Sequence, residues 1–155
     1  MSIGTKKPLD IYILAGITNT GKSCTVRNIT NRPRQCVMDI TINLKIYCKV
    51  QSLQEAKKSP KDFIELVRKK YLPKNISAVL VPLRTDITRN MPEADFYIDE
   101  FKKCGWNIKY VAELGGGTKL QKYCKEKQYG YKSFARENSI DDLFPKARKF
   151  FGFKG

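Results

Sequence analysis

Residues Gly16 to Ser23 read G-I-T-N-T-G-K-S, and the apolar run Ile11-Tyr12-Ile13-Leu14-Ala15 stands directly before them. No other stretch constrains the fold as strongly. The run has the length and composition of a buried strand, and Ser23 to Thr30 suits a helix. The chain therefore passes from strand to helix through a loop that carries two glycines. Gly16 and Gly21 permit backbone angles that a Cβ would forbid, so the loop can wrap an anion with inward-pointing N–H groups. The following helix adds unpaired N–H groups and the positive end of its dipole. Lys22 adds a point charge.

The octapeptide is a complete G-x-x-x-x-G-K-[ST] motif. In a strand–loop–helix setting it resembles the Walker A loop of the P-loop nucleoside triphosphatase superfamily. At motif level the resemblance covers residues 1–30. It implies that Gly16 and the amides of Thr18, Asn19, Thr20, Gly21, Lys22 and Ser23 cradle the phosphates of a nucleoside triphosphate, with Cys24 abutting them. Lys22 would stabilise charge on the terminal phosphates, and the Ser23 hydroxyl would ligate Mg²⁺. ATP is the expected nucleotide. A guanine-reading N/T-K-x-D signature fails at its last residue, since Thr118-Lys119-Leu120 runs into Gln121, and no D-x-x-G segment is present.

Such a site also needs an acid at the end of a neighbouring strand, to hold the metal or its water. Asp39, after Cys36-Val37-Met38, is the best match to an apolar strand ending in an acid, and Glu113, after Tyr110-Val111-Ala112, is the second. Asp86 lies four residues beyond Pro82 and comes next after Asp39 as the metal acid. The segment 83–91 carries Arg84 and Arg89 just after a core strand. It resembles the mobile lid of nucleotide and small-metabolite kinases, whose arginines close over the transferred phosphoryl group. Arginine suits that role because its fork binds phosphate in two places and stays charged. Gly115-Gly116-Gly117 stands where adenylate-kinase-like proteins pass the adenine ring, and a plain flexible connection accounts for it equally well.

At 155 residues the chain fits one domain, residues 1–155, with a basic aromatic segment at about 119–155. Thirty Lys+Arg against 15 Asp+Glu give a formal charge of +15, which attracts polyanions and nucleotides alike. Between Lys119 and Arg136 six basic residues interleave with Tyr123, Tyr129, Tyr131 and Phe134. That composition suits a stacking platform for single-stranded nucleic acid. It suits better a closing helix whose rings pack on the sheet while its lysines reach water. Five cysteines without a C-x-x-C pair, and no histidine, exclude the usual zinc-finger and histidine-based sites and point to reduced thiols. No secretory leader or membrane span is legible, so a cytoplasmic protein is expected.

Along the chain, strands are expected at 11–15, within 35–50, at 76–81 and at 107–112, with Pro82 stopping the third. The stretch 35–50 reads as a hairpin turning near Thr41 to Asn43, or as one long bulged strand. Leu53 to Lys58 can be helical. Ser59-Pro60-Lys61-Asp62 is a helix start, and Phe63, Ile64, Val67 and Tyr71 recur at helical spacing after it. Further helices are expected from Pro92 to Cys104, closed by Gly105, and from Lys119 to Gln128. Strands alternating with helices of this length indicate an α/β fold, a mainly parallel sheet with helices on both faces.

Three functions remain open on the residues alone. One is Mg-dependent phosphoryl transfer to a nucleotide or small acceptor, or ATP hydrolysis, with Lys22, Arg84 and Arg89 acting on the phosphates and Ser23 and Asp39 on the metal. Another is a nucleic-acid-associated triphosphatase that uses the basic C-terminal region. The third is a nucleotide-binding regulator with little turnover.

Overall fold

The computed structural model describes residues 8–16, 36–41, 44–49, 52–85, 91–114 and 118–134. Its six strands are β1 (Asp10–Gly16), β2 (Cys36–Thr41), β3 (Leu44–Cys48), β4 (Ala78–Arg84), β5 (Asn107–Leu114) and β6 (Gly130–Phe134). They form one sheet in the order β2-β3-β4-β1-β5-β6. Five run parallel, and β2 pairs antiparallel with β3 at one edge. The hairpin reading of 35–50 holds, with β2 ending at Thr41 and β3 starting at Leu44. β1 lies between β4 and β5, and Ile11 through Gly16 are all buried. A central parallel strand has two covered faces, which is why this run is apolar without alternation.

Three helices are described: α1 (Pro60–Leu66), α2 (Ala94–Lys103) and α3 (Thr118–Lys127). They lie in the crossovers β3 to β4, β4 to β5 and β5 to β6, which all advance the same way along the sheet. Parallel crossovers are right-handed, so three in one direction put their helices on one face. The core reflects this. Ile11, Ile13, Val79, Val81 and Val111 from the sheet join Phe63, Val67, Tyr97, Phe101 and Leu120 from the helices in one cluster. Aromatic rings stitch the sheet to its helices: Tyr47 of β3 stacks on Tyr71 with centroids 3.7 Å apart, and Phe101 of α2 meets Trp106, just before β5, at 5.2 Å.

The helix signals act as their chemistry dictates. Ser59 accepts from the Asp62 amide at 3.1 Å, and the Asp62 carboxylate accepts from the Ser59 amide at 3.3 Å, a full capping box with Pro60 in the first turn. All four expected α1 positions, Phe63, Ile64, Val67 and Tyr71, are buried. Beyond Leu66 the coil widens into a π turn over Val67–Tyr71 and tightens into a 3-10 turn over Leu72–Lys74. Helix α2 closes at Gly105, with φ +99°, where Trp106 N–H returns to the Phe101 carbonyl. Helix α3 closes the same way at Gln128, where Tyr129 N–H returns to Cys124. Leu53 to Lys58 is one such turn, not a helix: Lys57 takes φ 56° and Lys58 N–H returns to Leu53.

Two strand expectations need correction. Pro82 does not stop β4, which continues to Arg84. Successive residues of a strand offer their N–H and C=O to alternate neighbours. Residue 82 faces the β3 side, where the Leu53 amide meets its carbonyl at 3.3 Å, and β3 has already ended at Cys48 opposite Leu80. The absent N–H of Pro82 therefore costs no ladder bond. The other correction is β6, a parallel edge strand inside the basic aromatic segment. It opens with Gly130, where a Cβ would sit 2.7 Å from the Tyr110 ring and 3.2 Å from the Lys109 carbonyl.

Burial raises the phenols of Tyr12 and Tyr97 to about 12, assisted by Asp10 and Asp62 respectively. The folded state thus keeps protons that unfolded tyrosines release from pH 10.0 upward. Their contribution is complete below that pH and is lost as pH rises from 10 towards 12, by up to about 2–3 kcal/mol per tyrosine. Lys49, whose ammonium is pulled down by burial, works in the opposite sense. The urea midpoint is expected to fall between pH 9 and pH 11, and to fall less in Tyr97→Phe. An unchanged midpoint across that window contradicts the assignment.

Candidate functional site

Gly16, the first motif residue, ends β1 and pairs with Arg84 of β4 and Leu114 of β5. It stands at the centre of the carboxyl edge of the parallel sheet. Thr85 N–H donates to its carbonyl at 3.0 Å, so β4 and β1 remain joined up to this point. From β1 the chain goes on to the β2–β3 side, whereas from adjacent β4 it goes on to β5. Neighbouring strands whose connections part in this way form a topological switch point, and open α/β sheets bind ligands in the crevice outside it. The loop residues Thr18, Asn19, Thr20, Gly21, Lys22 and Ser23, with Cys24, Asp86, Arg89 and Gly115 to Gly117, lie outside the described residues.

Arg84 is brought beside Gly16, one strand spacing away in register. Its backbone is held by a residue that the sequence does not single out. The Gln54 carboxamide accepts from Arg84 N–H at 2.9 Å and donates to the Arg84 carbonyl at 2.9 Å and to the Pro92 carbonyl at 3.3 Å. This one side chain continues the ladder that β3 leaves off, and it ties the end of β4 to the start of α2. Gln54 is buried at 1% exposure. Its partners are 30 and 38 positions away, so no local pattern could have flagged it.

The two strand-end acids part company. Asp39 pairs with Lys45, at the opposite edge of the sheet, because β2 runs antiparallel to the others. Its backbone is level with the residue before Asp10, so it lies about 23 Å along the strand direction and roughly 14 Å across from Gly16, at ~3.3 Å per residue and ~4.8 Å per strand. Metal–oxygen bonds of ~2 Å leave no role for Asp39 with a metal held at the end of β1. Glu113 instead pairs with Ala15, one rung before Gly16, and is 1% exposed. Its carboxylate accepts a hydrogen bond from the Tyr131 hydroxyl. Burial, then this bond, raises the Tyr131 phenol. Burial and the Glu113 charge push the Cys124 thiol up to about 12, which keeps it protonated and unreactive.

The same contacts extend into the basic aromatic segment as far as it is described. Tyr123 donates to Asp99, its ring meets Tyr129 at 6.1 Å, and Tyr131 donates to Glu113. These three rings are half-buried and bonded within the fold, while Lys122, Lys125, Lys127 and Lys132 are exposed. Lys119 pairs with Glu93 and lies 3.9 Å from Asp95, which joins the first turns of α3 and α2. Among the described residues no three metal-ligating side chains converge, and no helix is long and apolar enough to cross a membrane. No protein-family model matches the chain, and neither does any curated protein sequence.

Proposed function

We propose that this protein is an ATP-binding P-loop enzyme of Mg-dependent phosphoryl transfer, either a kinase for a nucleotide or small acceptor or an ATP hydrolase. The observation that carries the reading is the position of Gly16: a complete phosphate-loop motif begins at the carboxyl end of the central parallel strand, at the switch point. Amides of residues 18–23 cradle the phosphates, Lys22 offsets charge that develops in the transition state, and the Ser23 hydroxyl holds the metal. Bound Mg²⁺ would neutralise phosphate charge. Arg84 and Arg89 close over the phosphoryl group, with Gln54 fixing the backbone from which Arg84 extends.

Glu113 takes the part expected of Asp39. Buried one rung from Gly16 and oriented by Tyr131, it is positioned to act on the metal's water or on the attacking nucleophile. Glu113→Gln keeps an acceptor for Tyr131 and removes the charge. It is expected to lower Mg-dependent turnover about 10²-fold with ATP binding retained. Full turnover in Glu113→Gln would remove it from the mechanism.

The experiment that tests the function is ADP release from Mg-ATP, alone and with a panel of nucleoside monophosphates or single-stranded DNA. Stimulation by a monophosphate establishes a kinase. Stimulation by DNA establishes a nucleic-acid-dependent triphosphatase. ATP binding without turnover in any mixture identifies a nucleotide-binding regulator and overturns the catalytic roles.

A further inference from the structure

The sheet has a second pole. At the edge opposite Gly16 the helices end, and each ends in lysines: Lys70 and Lys74 at the close of the α1 coil, Lys102 and Lys103 in α2, Lys125 and Lys127 in α3. All six are exposed, and none forms an ion pair with a carboxylate of the described residues. Fewer acids than lysines stand near this edge among the described residues: Asp39, whose backbone the direction of β2 brings here, Glu100, three positions before Lys103, and Asp10, Asp99 and Glu126. Glu126 is exposed between two of the lysines, and Asp10 is held by Asn107 at 2.8 Å. Asp99, one turn up α2, is taken by Tyr123.

We propose that this edge binds the phosphate backbone of nucleic acid. Lys70 and Lys74 each lie 5.5 Å from the centre of the Tyr71 ring, and helix dipoles favour a cation near each C-terminus, but neither contact neutralises a charge or calls for a row of lysine pairs. Neighbouring helices stand about 8–10 Å apart, so three consecutive ends spread the lysines over roughly 20 Å. That span matches a chain of phosphates and exceeds any single phosphate group. A membrane surface fits less well. Phe96 is the exposed large apolar side chain among the described residues, and it lies in the first turn of α2, towards the other edge. The pole therefore offers charge without an apolar anchor. The binding surface is also displaced from the 119–136 segment: it draws two lysines from that segment and four from α1 and α2, which only the fold brings together. This inference is independent of the nucleotide chemistry at the other edge.

The test is fluorescence anisotropy of the full chain with labelled single-stranded and duplex oligonucleotides, from about 50 to about 200 mM salt. Charge reversal at Lys102, Lys103, Lys125 and Lys127 together is expected to weaken binding at least about tenfold and to reduce the slope of log Kd against log salt by about 2 or more. The same four positions changed to glutamine, with an unaltered thermal melt, give the intermediate result and exclude misfolding as the cause. Lys119→Glu with Lys122→Glu, nearer the opposite end of α3, is expected to leave affinity within about threefold. Equal losses from both sets, no oligonucleotide binding at the lowest salt, or binding to phosphatidylserine vesicles in its place would overturn the proposal. Loss of ATP turnover in the four-lysine variant does not enter into it.

Discussion

Replacing Lys22 with alanine is expected to lower Mg-ATP turnover by about 10²–10³-fold, the loss typical when one preorganised donor to developing charge is removed. The motive is the spacing G16-x-x-x-x-G21-K22-S23 after a strand that ends, at Gly16, on the carboxyl edge of the sheet. In the proposed mechanism a lysine there would bring three donors and a full charge to the transferred group. The effect should fall mainly on kcat, because charge on the terminal phosphates grows as the bond breaks. Nucleotide affinity should drop as well, through lost ground-state contact. Steady-state kinetics of wild type and Lys22→Ala, with Lys102→Ala as a charge-matched control from the far edge, checks this. Equal turnover in Lys22→Ala and wild type would show that the motif does not carry the chemistry.

Gln54→Ala is expected to destabilise the fold by about 3 kcal/mol and to impair turnover out of proportion to that loss. The side chain satisfies one donor and two acceptors: Arg84 N–H, the Arg84 carbonyl and the Pro92 carbonyl. Each group left unpaired in a buried place costs about 1–3 kcal/mol, reduced where water enters the vacated space. Gln54→Glu is the sharper probe. It keeps an acceptor for Arg84 N–H but loses the donor and sets a carboxylate against two carbonyls, so it should be as harmful as alanine or worse. Urea unfolding gives the stability term. Turnover, measured where both variants are fully folded, gives the positional term, because Arg84 then extends from an unanchored strand end. A variant with normal stability and normal kinetics would mean that other bonds hold this junction.

The local elements were legible because their signals are local. The buried strand 11–15, the Ser59–Asp62 capping box, the α1 apolar face and the Gly105 stop each depend on residues within a turn or two, and each stands in the structure. The errors also have a common origin. Pro82 interrupts a strand only if its N–H is needed, and whether it is needed depends on where a neighbouring strand ends. Strand β6 was hidden because Tyr129 and Tyr131 look like free aromatics until Glu113 and Tyr123 are seen against them.

Asp39 and Glu113 make the division plainest. Both end short apolar runs, and nothing within a few residues tells them apart. Strand direction does: β2 runs against the sheet and takes Asp39 to the far edge, while β5 runs with it and leaves Glu113 one rung from Gly16. By itself the sequence determined the α/β class, the G-x-x-x-x-G-K-S motif and the strand that leads into it, because hydrophobic period, capping chemistry and glycine spacing are read over a few residues. Only the tertiary structure decided which acid stands near that motif, which glutamine holds the arginine strand, and that lysines from three helices share one edge, because those are relations between segments tens of residues apart that pairing order and direction alone set.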